Sequence, residues 1–385
     1  MRTNFPIEKL IKLQTPFYYY DTDLLQETLD TINREAAKYA GYHVHYAVKA
    51  NANDQILRQI EENGLGCDCV SGGEVQAALD AGFAPEKIVF AGVGKADWEI
   101  NLGLDAGIFC FNVESVAELE VIEELAAAKD KVARIALRVN PDVDANTHHY
   151  ITTGLNENKF GISLELLDNV IQRAIEAEHI ELIGLHFHIG SQLLDLTPYE
   201  ALCERINELQ DQLEARGIQL PVINVGGGLG IDYVHPDENP IPEFGRYFAI
   251  FNDKLNLRPG QELHFELGRA VVCQCGSLIT KVLYVKEGVN KKFVIVDAGM
   301  SDLIRPALYG AHHLIQNLTP HGAEEVYDVV GPICESSDCF GKEEKLPLTK
   351  RGDLFALRSA GAYGQIMACQ YNCRVLPRAV YSNQL

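Results

Sequence analysis

The sequence HYAVKAN at residues 45–51 begins the pattern that decides the fold. With the preceding Val44, its apolar residues recur at every second position, which predicts a buried β-strand that ends at Lys49. Such a lysine has two interpretations. Either its apolar stem carries the amine into water, or a rigid strand and an apolar surround lower its pKa, so that it forms a Schiff base with a cofactor aldehyde. Other parts of the chain distinguish the two.

Outward from this strand, predicted strands and helices alternate. The predicted strands lie at residues 44–49, 66–70, 87–92, 107–112, 132–139, 182–188, 221–226 and 262–266. The predicted helices lie at residues 21–38, 54–63, 73–82, 97–105, 114–128, 164–178, 197–216 and 242–254. A polar connection at residues 140–161 interrupts the rhythm. Eight βα units over about 225 residues are typical of a (β/α)8 barrel of the TIM type, so we predict an α/β fold of that class.

Beyond Glu266 the helical periodicity stops. Short β-rich runs separated by glycine and proline follow at residues 278–285, 293–297, 326–330, 354–357 and 375–380. They predict a C-terminal all-β domain, joined by the aromatic strand at residues 17–20. We therefore predict three segments, namely an N-terminal strand of the β domain at residues 1–22, the barrel at 23–266 and the β domain at 267–385.

Composition limits the partners. The chain has 385 residues, 47% of them hydrophobic and 23% charged, with a formal net charge of −21. Nucleic acids and anionic membranes would repel this charge. No N-terminal stretch resembles a signal peptide, and no apolar run approaches the ~20 residues that span a bilayer. We expect a cytoplasmic protein without a nucleic-acid or membrane partner.

Ten cysteines are spread along the chain, several of them in apolar runs. This distribution is typical of reduced, buried thiols. The pairs Cys67/Cys69 and Cys273/Cys275 have strand spacing and no accompanying histidines or Cys-x-x-Cys pattern. The cysteines therefore predict no metal site.

The carboxyl ends of the predicted barrel strands are unusually polar. In such barrels the chemistry is located at these ends, which here carry Lys49, Asp68, Gly92, Asn112, Arg138, His188, Gly226 and Glu266. The seventh strand leads into GGGLG at residues 226–230. Such a loop is either a plain tight turn or a backbone cradle for a phosphate, and four glycines in five positions favour phosphate. It is not a dinucleotide fingerprint, because the Gly-x-Gly-x-x-Gly order is missing.

His188, Ser191 and Glu266 complete this set. A lone strand histidine is more often a core residue than a reactive one, but Ser191 follows it on a glycine turn and could bind the same phosphate. A carboxylate buried at a barrel mouth needs a cationic partner, and a protonated pyridine nitrogen would serve. A lysine for an aldehyde, glycines for a phosphate and a glutamate for a ring nitrogen together describe pyridoxal 5′-phosphate.

Six motifs resemble those of the diaminopimelate decarboxylases, in the alanine-racemase-like class of pyridoxal-phosphate enzymes. They are YAVKAN at 46–51, HIGSQ at 188–192, GGG at 226–228, ELGR at 266–269, GPICES at 331–336 and GAYG at 361–364, and they span nearly the whole chain. One departure is Leu267, where the family usually has proline.

The resemblance implies a role for each matched residue. Lys49 would form the Schiff base, His188 would stack on the ring and Glu266 would pair with the pyridine nitrogen. The other cofactor-binding residues would be Ser191, Gly227, Gly228, Gly268, Arg269 and Tyr363. The substrate would be bound by Arg269, Arg305, Tyr309, Glu335 and Tyr363. Cys334 would deliver the proton, with Lys49 as the alternative, and Arg305 would otherwise be a solvated surface charge.

The implied reaction is the decarboxylation of meso-2,6-diaminopimelate to L-lysine and CO2, the last step of lysine biosynthesis. Alanine racemases of this fold have arginine at the position of Glu266, so the glutamate favours decarboxylation. The family also implies a homodimer, in which Cys334 and Glu335 reach the partner's active site. The alternatives are a decarboxylase of ornithine, arginine or lysine, and a non-catalytic cofactor-binding homologue.

Overall fold

The computed structural model describes residues 5–143 and 159–385. Most of the predicted connection at 140–161 therefore lies outside the described residues. Packing divides the chain into two units. The barrel unit comprises Leu29–Gly230 and Glu243–Gly268, and the β unit comprises Met1–Thr28, Ile231–Pro242 and Arg269–Leu385. The predicted limits at 1–22, 23–266 and 267–385 stay a prediction.

The described residues form these regular elements. The strands are β1 (Phe17–Tyr20), β2 (Tyr42–Ala47), β3 (Gly66–Cys69), β4 (Ile88–Phe90), β5 (Cys110–Val113), β6 (Ala133–Arg138), β7 (Ile180–His186), β8 (Val222–Asn224), β9 (Glu262–Leu267), β10 (Gly276–Glu287), β11 (Lys292–Val296), β12 (Ile315–Asn317), β13 (His321–Val330), β14 (Cys339–Leu348), β15 (Leu354–Leu357) and β16 (Arg378–Tyr381). The α-helices are α1 (Ile7–Leu10), α2 (Thr22–Ala36), α3 (Asp54–Glu62), α4 (Gly72–Ala81), α5 (Asp97–Ala106), α6 (Val116–Ala127), α7 (Leu164–Glu176), α8 (Thr197–Ala215), α9 (Phe244–Lys254), α10 (Arg269–Val272) and α11 (Arg305–Tyr309).

The barrel unit contains the predicted closed barrel of eight parallel strands, in the order β2 to β9. The last strand pairs with the first and so closes the ring, with His43 opposite His264 and Tyr46 opposite Leu267. Leu267 is buried and occupies the last paired position of β9, so the strand runs through the position where the family usually has proline. The predicted fold class is confirmed.

Local sequence signals explain where the barrel helices begin and end. The Ser71 and Ser115 hydroxyls accept hydrogen bonds from N–H groups three residues later and so cap α4 and α6. Gly82 and Gly107 have positive φ values of 103° and 71° and end α4 and α5 in the left-handed conformation that glycine favours. Asp21 caps α2, because its Oδ1 accepts hydrogen bonds from the N–H groups of Asp23 and Leu24.

Four barrel strands, β2, β4, β7 and β8, end two residues before their predicted carboxyl ends. Two of these errors concern candidate site residues. β2 ends at Ala47, and Lys49 lies in the 3-10 turn Val48–Ala50. β7 ends at His186, so His188 is in the loop that follows. In both cases the strand stops where its neighbour's pairing stops, at Ala47 opposite Asp68 and at His186 opposite Asn224. The alternation of apolar and polar residues in the sequence continues past both strand ends, so it does not reveal where the strands stop.

The sheet of the β unit is mostly antiparallel and has the order β12-β15-β10-β11-β13-β14. β1 joins it, as predicted, by pairing with β10 and β16. Two strands were not predicted, the short β12 and the edge strand β14. The β14 sequence, CFGKEEKLPL, is rich in charge and lacks alternation, because an edge strand keeps many side chains in water.

The segment Ile231–Pro242 belongs to the β unit although it lies between barrel elements in sequence. Its Asp237 forms an ion pair with buried Arg358 at 2.8 Å, and its Tyr233 accepts a hydrogen bond from Arg269 at 2.6 Å. Across the described residues, no helix has the length and apolar character needed to cross a membrane.

Candidate active site

The carboxylate of Glu266 lies inside the barrel on β9 and is 7% exposed. Its Oε1 accepts hydrogen bonds from the side-chain amides of Asn112, at 3.0 Å, and Asn224, at 2.8 Å. Its Oε2 lies 2.9 Å from Nε2 of His186. These partners come from β5, β8 and β7, so four strands contribute to one carboxylate site.

Opposing effects act on the pKa of Glu266. Burial raises it, whereas the charge of His186, the hydrogen bond to His186 and the charge of Lys49 lower it. The lowering effects win, and the pKa lies well below the usual range of a glutamate, so the group is ionised near neutral pH. A carboxylate has about four acceptor positions. The three hydrogen bonds leave room for one more N–H donor.

Lys49 faces a buried acid. Its Nζ lies 3.7 Å from Oδ2 of Asp68, and the lysine side chain is 41% exposed. Burial, and then the charge of Glu266, raises the pKa of Asp68 well above its usual range, while Lys49 lowers it. A Cβ added at Gly268 would lie 3.1 Å from Cβ of Ala47. The start of the turn that carries Lys49 is therefore packed against the end of β9.

The glycine loop at residues 226–228 follows β8 and touches neighbouring backbone. A Cβ added at Gly227 would lie 1.9 Å from the carbonyl oxygen of Glu266, and one at Gly228 would lie 2.7 Å from that of Gly190. This packing is by itself a reason for glycine. The phosphate role of the loop stays a prediction, as does that of Ser191, which is partly buried after β7.

We expect Gly227→Ala to lose cofactor affinity, because the new methyl group can be accommodated only if the loop moves away from β9. The expected cost of such overpacking is about 1–3 kcal/mol, or roughly tenfold or more in the dissociation constant of pyridoxal phosphate, measured by fluorescence titration. Gly94→Ala is the matched control, since a Cβ there meets no atom within 4 Å. Equal affinities in the two variants would contradict the expectation.

His188 accepts a hydrogen bond at Nδ1 from the N–H of Gly227, at 3.3 Å. Burial, followed by the charges of Arg138 and Lys49, lowers the pKa of His188 well below its usual range. The ring is therefore neutral near pH 7, with its proton on Nε2. A neutral, flat imidazole fixed beside the glycine loop can stack on an aromatic ligand.

Arg138, at the end of β6, forms a buried ion pair with Glu114 at 2.8 Å. Glu114 also accepts hydrogen bonds from the N–H groups of Gly92, at 3.1 Å, and Gly161, at 3.0 Å. Two members of the predicted ring of polar strand ends, Arg138 and Gly92, therefore belong to one hydrogen-bonded network around Glu114. Arg138 and Gly92 serve to fix the loops at this end of the barrel.

In the β unit, the buried guanidinium of Arg269 lies between two tyrosines. Its Nη1 donates to the hydroxyl of Tyr233 at 2.6 Å, and the group lies 4.9 Å from the ring centre of Tyr363. Tyr363 has a positive φ of 56°, which is rare for a bulky residue and is typical of functional sites. Packing within this unit therefore brings the predicted residues Arg269 and Tyr363 together.

Arg305 is buried, at 6% exposure, so its interpretation as a solvated surface charge is wrong. Its Nη1 lies 3.0 Å from Nε2 of His313, and the guanidinium lies 5.1 Å from the ring centre of Tyr233. Among the residues that the structure describes, no carboxylate lies within ion-pair distance of Arg305. A buried cation with neutral neighbours is well suited to bind a carboxylate ligand.

His313 makes the stability of the protein depend on pH. Its Nδ1 donates to the carbonyl of Arg358 at 2.9 Å, and burial, followed by the charge of Arg305, lowers the pKa of His313 to about 3. The unfolded chain has a histidine pKa of about 6.5. Between these values only the unfolded state binds the proton, so the histidine destabilises the fold progressively as pH falls below 6.5.

We expect His313→Asn to reduce the pH dependence of unfolding. The slope of the unfolding free energy between pH 6 and 4 should fall by up to about 1.4 kcal/mol per pH unit. Urea unfolding of both proteins at several pH values measures the slope, and the other buried histidines cancel in the comparison. Parallel curves would show that His313 is protonated equally in both states.

Cys334 and Glu335 are exposed in the β unit. The hydroxyl of Tyr371 donates a hydrogen bond to Glu335, and Ser337 donates a second one at 3.3 Å. Tyr309 is half-buried at the end of α11. The predicted roles of these three residues stay predictions.

Sequence reasoning missed the supporting residues. His186 and Asn224 hold Glu266, Glu114 holds Arg138, and Tyr233 and His313 hold the two arginines. The sequence contains one signal for His186 and Asn224. Each is the last residue of a barrel strand and lies two positions before a predicted polar strand end, His188 or Gly226.

Comparison with known proteins explains this constellation. The model of the pyridoxal-dependent decarboxylase family, pyridoxal binding domain, matches residues 25–273. A diaminopimelate decarboxylase of Bacteroides thetaiotaomicron is 65% identical over 385 residues, covering 100% of both chains. The chain belongs to the diaminopimelate decarboxylase family. A Helicobacter pylori member is 44% identical over 375 residues, covering 96% of this chain and 91% of its own.

A solved structure of this family agrees with the fold. The diaminopimelate decarboxylase of Helicobacter pylori, complexed with L-lysine, has a TM-score of 0.92 at 42% identity and covers 98% of this chain and 94% of its own. The family's cofactor is pyridoxal phosphate. The barrel residues fit it, because Glu266 is ionised with one acceptor position open and the loop at 226–228 presents backbone without side chains.

Proposed function

We propose that this chain is a pyridoxal-phosphate enzyme that decarboxylates meso-diaminopimelate to L-lysine and CO2. The family supports the reaction. The observation that carries the choice of substrate is the buried guanidinium of Arg305, which has no carboxylate partner among the described residues. A substrate with a second amino-acid group, whose ammonium and carboxylate do not react, would supply that carboxylate. This group is called the distal amino-acid head.

When bound, pyridoxal phosphate supplies an aldehyde that binds amines and a ring that accepts the electron pair left when a carboxylate departs as CO2. In our proposal the amine of Lys49 would hold the aldehyde end of this group. Residues 226–228, Ser191 and Gly268 hold the phosphate end. His188, neutral and hydrogen-bonded to Gly227, supports the ring face.

Glu266 would favour a proton on the ring nitrogen of the bound cofactor. Its three hydrogen bonds fix the carboxylate in place, and its lowered pKa keeps it ionised, so its remaining acceptor position favours a charged N–H partner. An ionised carboxylate beside a protonated nitrogen makes the ring a better electron acceptor. An arginine at this position would have the opposite effect, so Glu266 favours decarboxylation over racemisation.

The distal head of the substrate carries a carboxylate and an ammonium group. We assign the carboxylate to Arg305, Arg269 and Tyr309, with Tyr363 beside Arg269, and the ammonium to Glu335. When the scissile C–C bond breaks, the carbon that loses CO2 gains a proton. Cys334 delivers that proton in our proposal, and the amine of Lys49 is the alternative.

We also propose an isologous homodimer with shared active sites and a cytoplasmic location. Cys334 and Glu335 are exposed on the chain, as residues that serve a partner subunit would be. All ten cysteines are free thiols, as is typical of a reducing compartment.

A CO2-release assay tests the proposed function. The purified chain, loaded with pyridoxal phosphate, is given meso-diaminopimelate, L-ornithine, L-arginine or L-lysine in turn. We expect kcat/KM for meso-diaminopimelate to exceed the others by at least about 10³-fold, because the other substrates leave buried Arg305 without its carboxylate. A preference for ornithine, arginine or lysine would identify a different basic amino-acid decarboxylase. No CO2 from any substrate would identify a non-catalytic homologue.

A further inference from the structure

Three polar residues meet at the seam where the barrel closes. His43 on β2 and His264 on β9 are directly paired in the register of these two strands. Glu262 lies two positions before His264 and therefore on the same face of β9. The set lies near the amino-terminal ends of both strands, whereas Lys49 follows the carboxyl end of β2.

The ligand atoms of these residues converge. Nε2 of His264 is 3.3 Å from Oε2 of Glu262, and Nε2 of His43 is 3.7 Å from Oε1 of the same carboxylate. All three residues can place one ligand atom within 4.8 Å of the others. Ligand atoms around a tetrahedral Zn2+ lie roughly 3.3 Å apart, so only the exposed His43 has to move to complete such a geometry.

The surroundings admit a small ion. A cavity of about 310 Å3 is lined by His43, His45, Glu262 and His264, among others. The His264 side chain is buried, at 4% exposure, while those of His43 and Glu262 are 49% and 46% exposed. One ligand is therefore rigid, and the other two lie where solvent can deliver an ion.

Hydrogen-bond counting indicates that this row of groups lacks one positive charge. Nδ1 of His45 is 3.1 Å from the carbonyl oxygen of Lys87, its Nε2 is 2.8 Å from Nδ1 of His264, and Nε2 of His264 faces Glu262. The carbonyl and the carboxylate can only accept hydrogen bonds, so each of the three contacts needs one proton. Two neutral imidazoles supply only two.

The position of the missing charge follows from the carbonyl of Lys87. Nδ1 of His45 has to donate to it, so Nε2 of His45 accepts from Nδ1–H of His264. The lone pair on Nε2 of His264 then points at the carboxylate of Glu262, 3.3 Å away. Two electron-rich atoms in contact repel each other, and either a third proton or a metal ion between them would remove the repulsion. His43 is the third ligand available to a metal ion at this place.

We propose that His43, Glu262 and His264 form a binding site for a divalent transition-metal ion, with Zn2+ as the favoured ion. Two imidazole nitrogens and one carboxylate are a common zinc ligand set with one position left open. His45 orients His264 through its other ring nitrogen, as residues behind metal ligands do. The cysteine spacing predicts no metal, and this site uses histidine and glutamate instead. The ion would join the first and last strands of the barrel.

Zinc titration of the metal-free holoenzyme tests the proposal. Isothermal titration calorimetry with ZnCl2 is carried out on the wild type, His43→Ala, Glu262→Gln and the control His235→Ala, which removes an exposed histidine outside the cluster. His43 and Glu262 are both half-exposed, so the variants should fold, and unchanged CO2 release verifies this.

We expect the wild type and His235→Ala to bind one Zn2+ at this site with the same affinity. In His43→Ala and Glu262→Gln the affinity for Zn2+ should be at least about tenfold lower. Zinc binding to exposed cysteines would be equal in all four proteins and cancels in the comparison. Equal zinc affinity and stoichiometry in the four proteins would overturn the proposal. In that case a third proton on one of the two imidazoles, rather than a metal ion, supplies the missing positive charge between His45, His264 and Glu262.

Discussion

Lys49→Ala should abolish decarboxylation, with kcat reduced at least about 10³-fold, because the variant loses the amine that we propose binds the cofactor aldehyde. The turn that carries Lys49 is held by buried Val48 and Ala50, so the variant should keep its fold. It should also lose the visible absorbance of the lysine-bound cofactor. Both effects are measured on one sample, by CO2 release and by an absorption spectrum.

Lys129→Ala is the matched control for this experiment. Lys129 forms a surface ion pair with Asp105 at 2.9 Å, and such pairs contribute little to stability. This variant should retain both the absorbance and the activity. A Lys49→Ala enzyme that released CO2 at a rate near that of the wild type would contradict the role of Lys49.

Arg305→Met should have the second largest effect. Removing one partner of a buried charge pair costs about 2–5 kcal/mol, so kcat/KM for meso-diaminopimelate should fall by about 30-fold or more. His313 is neutral at assay pH and Tyr233 offers only a ring face, so neither replaces the guanidinium. Arg305→Lys keeps the charge without the planar fork and should show a smaller loss.

Two inhibitors show whether the loss concerns the distal carboxylate. L-lysine keeps the amino-acid head that is distal during the reaction, whereas pentane-1,5-diamine is the same molecule without the carboxylate. In Arg305→Met the inhibition constant of L-lysine should rise with the loss of kcat/KM, and that of the diamine should stay nearly constant. An equal change for both would place Arg305 outside the carboxylate site.

The parts of this protein that could be predicted from its sequence are those with local signals. Alternating strands and helices, serine caps and glycine ends are encoded within a few residues, and they define the barrel. Strand ends were less accurate, because pairing with the neighbouring strand decides that β2 stops before Lys49. The edge strand β14 was missed because water, rather than the core, faces many of its side chains.

The supporting residues of the site depend on contacts across the fold. Asn112 is 154 positions from Glu266 in the sequence, yet their side chains are hydrogen-bonded. Nothing near Asn224 or His186 indicates which carboxylate they hold. His43 and His264 are likewise far apart in the sequence, and only the register of β2 and β9 brings them together where the barrel closes.

The central claim is that Lys49 binds the cofactor covalently. Borohydride reduction of the holoenzyme, followed by proteolysis and mass spectrometry, makes this bond permanent and locates it. We expect the phosphopyridoxyl group on the peptide that contains Lys49. A holoenzyme whose modified peptide contains a different lysine, or none, would contradict the account.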